Sequence, residues 1–160
     1  MHQVPINSYA GIYYRKILSY MKKAFKRIGL TFEDGVILQN IYNNPGTNQI
    51  QISNALILDT AAVARALKDL EQKGFVVRKI DSTNERKKVV NVTEEGGKLA
   101  LKINAIMEAW DEQIFSDLSN EEANRLIANM RFLKEKADLL DVNELVEEVD
   151  ALNSTFIDLD

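Results

Sequence analysis

The 160-residue chain contains no cysteine and one histidine, His2. The first absence removes disulfides, thiolate nucleophiles and thiol-based redox sensing, and the second leaves a histidine-rich metal site without ligands. No metal site and no cofactor are therefore expected. No apolar run approaches the roughly 18 residues that span a bilayer, and the N-terminal stretch MHQVPINSYAG lacks the charged and apolar regions of a signal peptide. A cytoplasmic chain without a membrane partner is expected. Also missing are a glycine-rich phosphate loop, an HExxH pair and a nucleophile with a histidine partner, and the carboxylates are scattered without apolar pockets around them. These absences argue against an enzyme.

What is present is the composition of a globular domain with room for a core, at 46% apolar and 28% charged residues. The formal charge of -4 and pI near 5.2 by themselves argue against a polyanionic partner, but the charges are unevenly placed. Seven of the 24 acids fall in the last twenty residues, which hold no Lys or Arg. Residues 1–140 therefore carry 17 acids against all 20 basic groups, a net of +3. The N-terminal stretch is more lopsided still, with Arg15, Lys16, Lys22, Lys23, Lys26 and Arg27 before the first acid, Glu33. A solvated helix face is favoured over a phosphate-facing one as the explanation of that stripe.

The periodicity predicts helices over most of the chain. Ile12, Tyr13, Ile17, Tyr20, Ala24 and Ile28 share a broad stripe of a first helix from about Ser8 to Ile28, ended by Gly29. A second follows Thr31, which with Asp34 resembles a capping box, and closes at Asn43-Asn44-Pro45-Gly46. Asn48 is placed to cap a short helix, Gln49 to Leu56, whose Ile52 and Leu56 should pack on Val63 and Leu67 of the next. That next helix runs from Thr60 to Gln72, with Asp59 as N-cap and Gly74 as stop. Val63, Leu67 and Leu70 form its buried stripe, and Ala61, Ala64, Arg65, Lys68 and Gln72 the opposite face, with Thr60 at the first turn.

Two β-branched runs, Phe75 to Ile80 and Lys87 to Val92, flank the turn-forming Asp81-Ser82-Thr83-Asn84-Glu85-Arg86. Helix, helix and basic hairpin in that order predict a winged helix-turn-helix. From Thr47 to Thr93 eight basic residues face five acids, an excess that a plain hairpin does not need. Beyond it, Thr93 should cap a helix from Glu94 to about Phe115 carrying Leu99, Ile103, Ile106, Trp110 and Ile114, with Gly96 and Gly97 weakening its first turn. Ser119 and Glu122 form a capping box before a seam of Leu126, Met130, Leu133, Ala137 and Leu140. The apolar stripes of the first and last helices exceed what a small reader needs. They predict a homodimer, the alternative being that they fold back on one subunit's own core.

The run from Leu58 to Val76 (LDTAAVARALKDLEQKGFV), then Arg86, then Val92-Thr-Glu-Glu-Gly96, resembles the multiple antibiotic resistance regulator (MarR) family, over roughly residues 8–140 and most specifically 48–97. The resemblance implies a mainly α fold with a small β-hairpin wing. Residues 1–30 and 94–140 would form a helical dimerisation region, 31–93 the DNA-binding region and 141–160 an acidic extension. It also implies a dimer on a pseudo-palindromic double-stranded operator, usually a repressor released by a small molecule. By position, Arg65 matches the recognition-helix arginine and Arg86 the wing arginine. Two departures stand out. Asn84 replaces the first member of the family's Asp-x-Arg wing motif, and Ile57 stands where the helix-turn-helix turn often holds Gly, which suggests a turn with φ below zero. The acidic tail lies outside the resemblance. Leu145, Val149 and Leu152 keep helical spacing there, as an extra helix or within a mobile segment.

On this reading Thr60, Ala61, Ala64 and Arg65 supply base readout, arginine suiting guanine O6 and N7 and the small residues the thymine methyl. Lys68, Arg78, Lys79, Lys87 and Lys88 supply phosphate contacts, and Arg86 reaches a minor groove or phosphate beside the site of the recognition helix. A small aromatic or lipophilic effector would meet Tyr13, Ile17, Tyr42 or Trp110, although the reading of those rings as core is the favoured one. The competing class is a winged-helix protein-interaction module without DNA affinity.

Overall fold

The computed structural model describes residues 5–81, 84–147 and 149, with the backbone alone at residues 81 and 84–87. The elements run α1 (Ile6–Arg27), α2 (Phe32–Asn43), α3 (Gln49–Leu56), α4 (Thr60–Gln72), β1 (Val76–Asp81), β2 (Asn84–Val92), α5 (Glu94–Phe115) and α6 (Asn120–Ala137). Residues up to Gln113 form one compact unit and those from Ile114 a second.

The first unit is built on α2, α3 and α4 with the hairpin at their edge. Its core joins Phe25 of α1, Ile37, Leu38 and Ile41 of α2, Ile52 of α3, and Val63, Leu67 and Leu70 of α4. Val76, Val90 and Ile103 complete it from β1, β2 and α5. The stripe expected on α4 is the one buried, and Ile52 lies in the same cluster with Leu56 packed at its margin. On α1 the core face differs from the expected stripe: Met21 and Phe25 are buried, whereas Tyr13 and Ile12 are exposed and Ile17, Tyr20 and Ile28 only pack at the margin. The reason lies in α2, not α1. A Cβ on Gly35 would sit 2.4 Å from the Phe25 ring, so the missing side chain of α2 is the seat of Phe25.

Caps fix the helix starts. The Asn48 side chain accepts from the Ile50 and Gln51 N–H groups, and Gln51 Oε1 accepts in return from Asn48 N at 3.1 Å. At α2 only half of the expected box forms. Thr31 Oγ1 accepts from Asp34 N at 3.0 Å, but the Asp34 carboxylate turns away to Lys73. The turn between α3 and α4 also departs from expectation, since Ile57 has φ +52° and ψ +48°. Its own N–H bonds to Ser53 O, and the Leu58 N–H donates to the same carbonyl at 3.0 Å. Closing α3 this way requires a left-handed residue whatever its side chain.

The hairpin is longer than its sequence suggested, because the turn-like Asn84-Glu85-Arg86 belongs to β2 rather than to the connection. Val76 pairs with Val92, Arg78 with Val90 and Ile80 with Lys88, after which the register jumps so that Asp81 pairs with Asn84. The α2–α3 turn is laced to β2 by the Val90 N–H donating to Thr47 O at 2.7 Å and the Gly46 N–H to Asn91 Oδ1 at 2.9 Å.

The start of α5 is tied to the start of β1. Thr93 Oγ1 accepts from the Gly96 N–H at 3.0 Å and donates to Gly74 O at 2.7 Å, while Thr93 N donates to Phe75 O at 3.0 Å. Gly96 is required by this joint, since a Cβ there would lie 1.9 Å from Phe75 O, whereas one on Gly97 would meet only the Tyr42 ring at 3.9 Å. Further along, Gln39 of α2 donates to Asn104 Oδ1 of α5 at 2.8 Å.

In the second unit α6 starts at the expected Ser119–Glu122 box and buries no residue. Leu126, Met130, Leu133 and Leu140 of the predicted seam are exposed, as are Ile127 and Phe132. A further helical segment includes residues 142–147 and 149, with Leu145 and Val149 exposed; Leu152 lies outside the described residues.

Candidate nucleic-acid interface

α4 supplies the centre of the surface. Asp59 Oδ1 accepts from the Ala61 and Ala62 N–H groups at 2.9 and 3.1 Å, which satisfies two otherwise free donors at the helix start. At about 1.5 Å per residue the helix is some 20 Å long, enough to lie in a major groove with its far end anchored. Its anchor is the buried Val63, Ala66, Leu67 and Leu70. On the opposite face Thr60, Ala61, Arg65 and Lys68 are exposed and Ala64 is half-buried. A small-residue start followed by cations is thus presented outward on a helix whose other side is locked.

The basic residues divide into committed and uncommitted groups. Lys73 Nζ lies 3.5 Å from Asp34 Oδ2, a carboxylate only 6% exposed, which pins the end of α4 to α2. Arg78 Nε lies 3.2 Å from Glu71 Oε2 and is half-buried along α4. Arg78 therefore acts first as a strut between β1 and α4, which sequence reasoning missed because the partners come from different elements. Among the described residues Arg65, Lys68, Lys79 and Lys88 are exposed and form no ion pair with one another's neighbours. The side chains of Arg86 and Lys87 lie outside the described residues; the backbone of Lys87 is in β2 as expected, and that of Arg86 is in β2 rather than in the turn where the sequence placed it.

Strand register adds a constraint on the lysines. Lys88 pairs with Ile80, two residues beyond Arg78 on one face of the hairpin, while Lys79 pairs with Val89 on the other. Among the described residues of the wing, the exposed Lys79 and Lys88 thus leave it in opposite directions.

Arg65 also borders a cleft of about 200 Å³ between α2 and α4, where Glu33 and Asp69 stand beside it. The four residues expected to meet an effector are not gathered in one place. Trp110 Nε1 donates to Tyr13 Oη at 3.3 Å, and Tyr20, which the sequence did not single out for this role, stacks closer to Trp110 with ring centroids 5.2 Å apart. Ile17 packs at the core margin on the same helix as Tyr13. Tyr42 instead touches the first turn of α5 near Gly97, about 20 Å along the helix axis from Trp110.

Carboxyls with shifted protonation occur on α5 and α6. The Ser119 hydroxyl, then its backbone N–H, hold the Glu122 carboxyl below its usual value of 4.5, and burial raises that of Asp111. No group of three or more potential metal ligands occurs among the described residues, and no single helix there is long and apolar enough to cross a membrane.

Comparison with known proteins agrees with this geometry. The sequence profile of the MarR family matches residues 30–88, from the end of α1 through most of the wing. The HTH-type transcriptional regulator YybA of Bacillus subtilis (strain 168) is 30% identical over 118 residues, covering 74% of this chain and 79% of that protein. The HTH-type transcriptional regulator BilQ of Clostridium symbiosum (strain WAL-14163) is 25% identical over 127 residues, covering 78% and 87%. Among solved structures, a MarR-family regulator from Listeria monocytogenes in complex with a 26-mer DNA superposes with a TM-score of 0.78 at 25% identity, covering 84% of this chain and 89% of that one. A MarR transcriptional regulator from Methanosarcina mazei Go1 gives 0.75 at 26% identity, covering 82% and 95%. Element order, reader geometry and these similarities converge: the chain belongs to the MarR family of winged helix-turn-helix transcriptional regulators.

Proposed function

We propose that the protein is a sequence-specific DNA-binding repressor that acts as a homodimer in the cytoplasm and is released by a small aromatic or lipophilic effector. The observation that carries the DNA-binding part is the outward face of α4, where Arg65 stands exposed behind the small Thr60 and Ala61 on a helix capped by Asp59. Arg65 reads guanine while Thr60, Ala61 and Ala64 admit a close approach to the groove floor. Lys68, Lys79 and Lys88 neutralise phosphates, with Lys87, Arg86 and the half-buried Arg78 completing the set at the wing. Lys68, Lys79 and Lys88 alone account for a log–log salt slope of about -5 for a dimer, which the other basic residues of the wing would steepen. The solved Listeria relative with its 26-mer DNA supports this reading by similarity.

Dimerisation through residues 1–30 and 94–140 is favoured by the apolar residues that each subunit leaves in water. Ile6, Tyr9 and Ile12 on α1, and Leu126, Met130, Phe132 and Leu133 on α6, are all exposed in the single chain. Large apolar side chains left in water on each of these helices favour an interaction site there. Closed two-fold symmetry would place two α4 helices about one DNA turn apart, roughly 34 to 36 Å, on a pseudo-palindromic operator. An effector near Tyr13 and Trp110 would release the repressor only if it binds one spacing of the reader helices better than another.

Sedimentation equilibrium and a low-salt mobility shift with genomic fragments test the proposal together. A dimer that retards a subset of fragments, with retardation lost steeply as salt rises, is the expected outcome. No retardation of any fragment would favour the rival reading of a protein-interaction module.

A further inference from the structure

Ile57 stands apart from every other apolar side chain described above. It occupies the turn between α3 and α4 with φ +52°, the one non-glycine residue at positive φ among the described residues. A left-handed conformation is costly for any L-residue with a Cβ and most of all for a β-branched one. Glycine or asparagine would satisfy the same turn without that strain. Nor does the side chain return anything to the fold: it is 88% exposed, while its neighbours Leu56 and Leu58 pack against the core. Both the backbone and the solvation of the free protein thus disfavour isoleucine here. Strain of this kind persists where a function needs the side chain.

The position says what that function is. Thr60 lies three residue steps after Ile57, a reach of at most about 11 Å, and the major groove is about 12 Å wide. When the first turn of α4 enters the groove, Ile57 is carried to the groove edge beside it. Its branched, uncharged side chain has no group to pair with a phosphate or a base edge. The apolar feature that a base offers in the major groove is the 5-methyl of thymine. We propose that Ile57 is a specificity-determining residue that packs on a thymine methyl at the flank of the half-site, next to the bases read by α4. The reading rests on the assignment of α4 as the reader helix and extends it to the turn before it.

The test uses the full-length protein, its Ile57→Asn and Ile57→Val variants, and a duplex selected by the wild type from a random-sequence pool. Asn tolerates the left-handed region, so the thermal midpoint of Ile57→Asn should rise by about 2 to 4 °C. Its affinity for the selected duplex should fall about 5- to 10-fold, with affinity for random duplex and the salt slope unchanged. Ile57→Val should stay within about 3-fold of wild type. Replacing thymine by deoxyuridine one position at a time removes single methyls. One such position should weaken wild-type binding and leave Ile57→Asn unaffected, a coupling that other methyls do not show. Undiminished binding by Ile57→Asn, equal losses on selected and random duplex, deuridine effects identical in both proteins, or a lowered thermal midpoint would each overturn the proposal. Failure of the wild type to select any duplex would instead strike at the reader assignment itself.

Discussion

Gly96 and Gly97 are adjacent in the first turn of α5, yet replacing each by alanine should move stability in opposite directions. A Cβ at 96 would be built 1.9 Å from the Phe75 carbonyl oxygen, 2.8 Å from its carbon and 3.2 Å from its Cα. Those are backbone atoms, and the carbonyl is held from the other side by Thr93 N at 3.0 Å and Thr93 Oγ1 at 3.2 Å. Relief requires α5 to shift by more than about 1 Å, which strains the overpacked joint by about 1 to 3 kcal/mol. The same shift loses one or two hydrogen bonds at about 0.5 to 1.5 kcal/mol each. Against this stands the helical preference for alanine over glycine, about 1 kcal/mol. The net expectation for Gly96→Ala is a loss of about 2 to 3 kcal/mol. Gly97→Ala meets only the Tyr42 ring at 3.9 Å, an ordinary contact, so it keeps the propensity gain of up to about 1 kcal/mol. Urea unfolding followed through the fluorescence of Trp110, the single tryptophan, measures both. With a slope of about 1 to 3 kcal/mol per molar, the two midpoints should separate by about 1 M or more. Equal midpoints, or a Gly96→Ala protein as stable as wild type, would refute the close approach at Phe75.

At the reader surface, Arg65→Ala should reduce affinity for a selected duplex far more than for random DNA, while Lys88→Ala weakens both alike and flattens the salt slope by about 2 per dimer; fluorescence anisotropy at several salt concentrations separates them. Asp59→Ala should destabilise the unit carrying α4 by about 1 kcal/mol and Asp59→Asn by much less, as read from urea midpoints, because the cap needs an acceptor and not a charge. The Glu122 carboxyl, held below 4.5 by Ser119, contributes helix stability that is complete above that pH and drains away as acidification passes its lowered value. Far-ultraviolet circular dichroism should therefore show α6 weakening in acid, with Glu122→Gln removing that part of the pH dependence.

Features that depend on neighbours in sequence were legible before any coordinates. The starts of α3, α4 and α6 follow from Asn48, Asp59 and Ser119, because a cap bonds to backbone two or three residues away. The buried stripe of α4 was equally plain. What escaped were features set by a partner distant in the chain. Phe25 is the deepest residue of α1 because Gly35 lacks a side chain, and Arg78 and Asp34 are occupied by Glu71 and Lys73. Asn84 to Arg86 read as turn from their chemistry, yet they belong to β2, where Asn84 pairs with Asp81 after a jump in register, a case of pairing overriding local preference. Ile57 misled in the other direction. The absence of glycine suggested an ordinary backbone, but the geometry of helix closure fixed the conformation and the side chain conformed.

The Phe75 carbonyl meets both the strand that opens the wing and the residue that opens α5, and the space between them is too small for one methyl group. Such a joint has no slack, so it behaves as a pivot rather than a flexible linker. α5 extends about 33 Å from it. A sideways displacement of about 3 Å at the far end is then a rotation of about 5° at the pivot, and the hairpin, fastened to the same atom, has to turn with it or break its bonds. In this architecture the hairpin is coupled to the far end of a long lever.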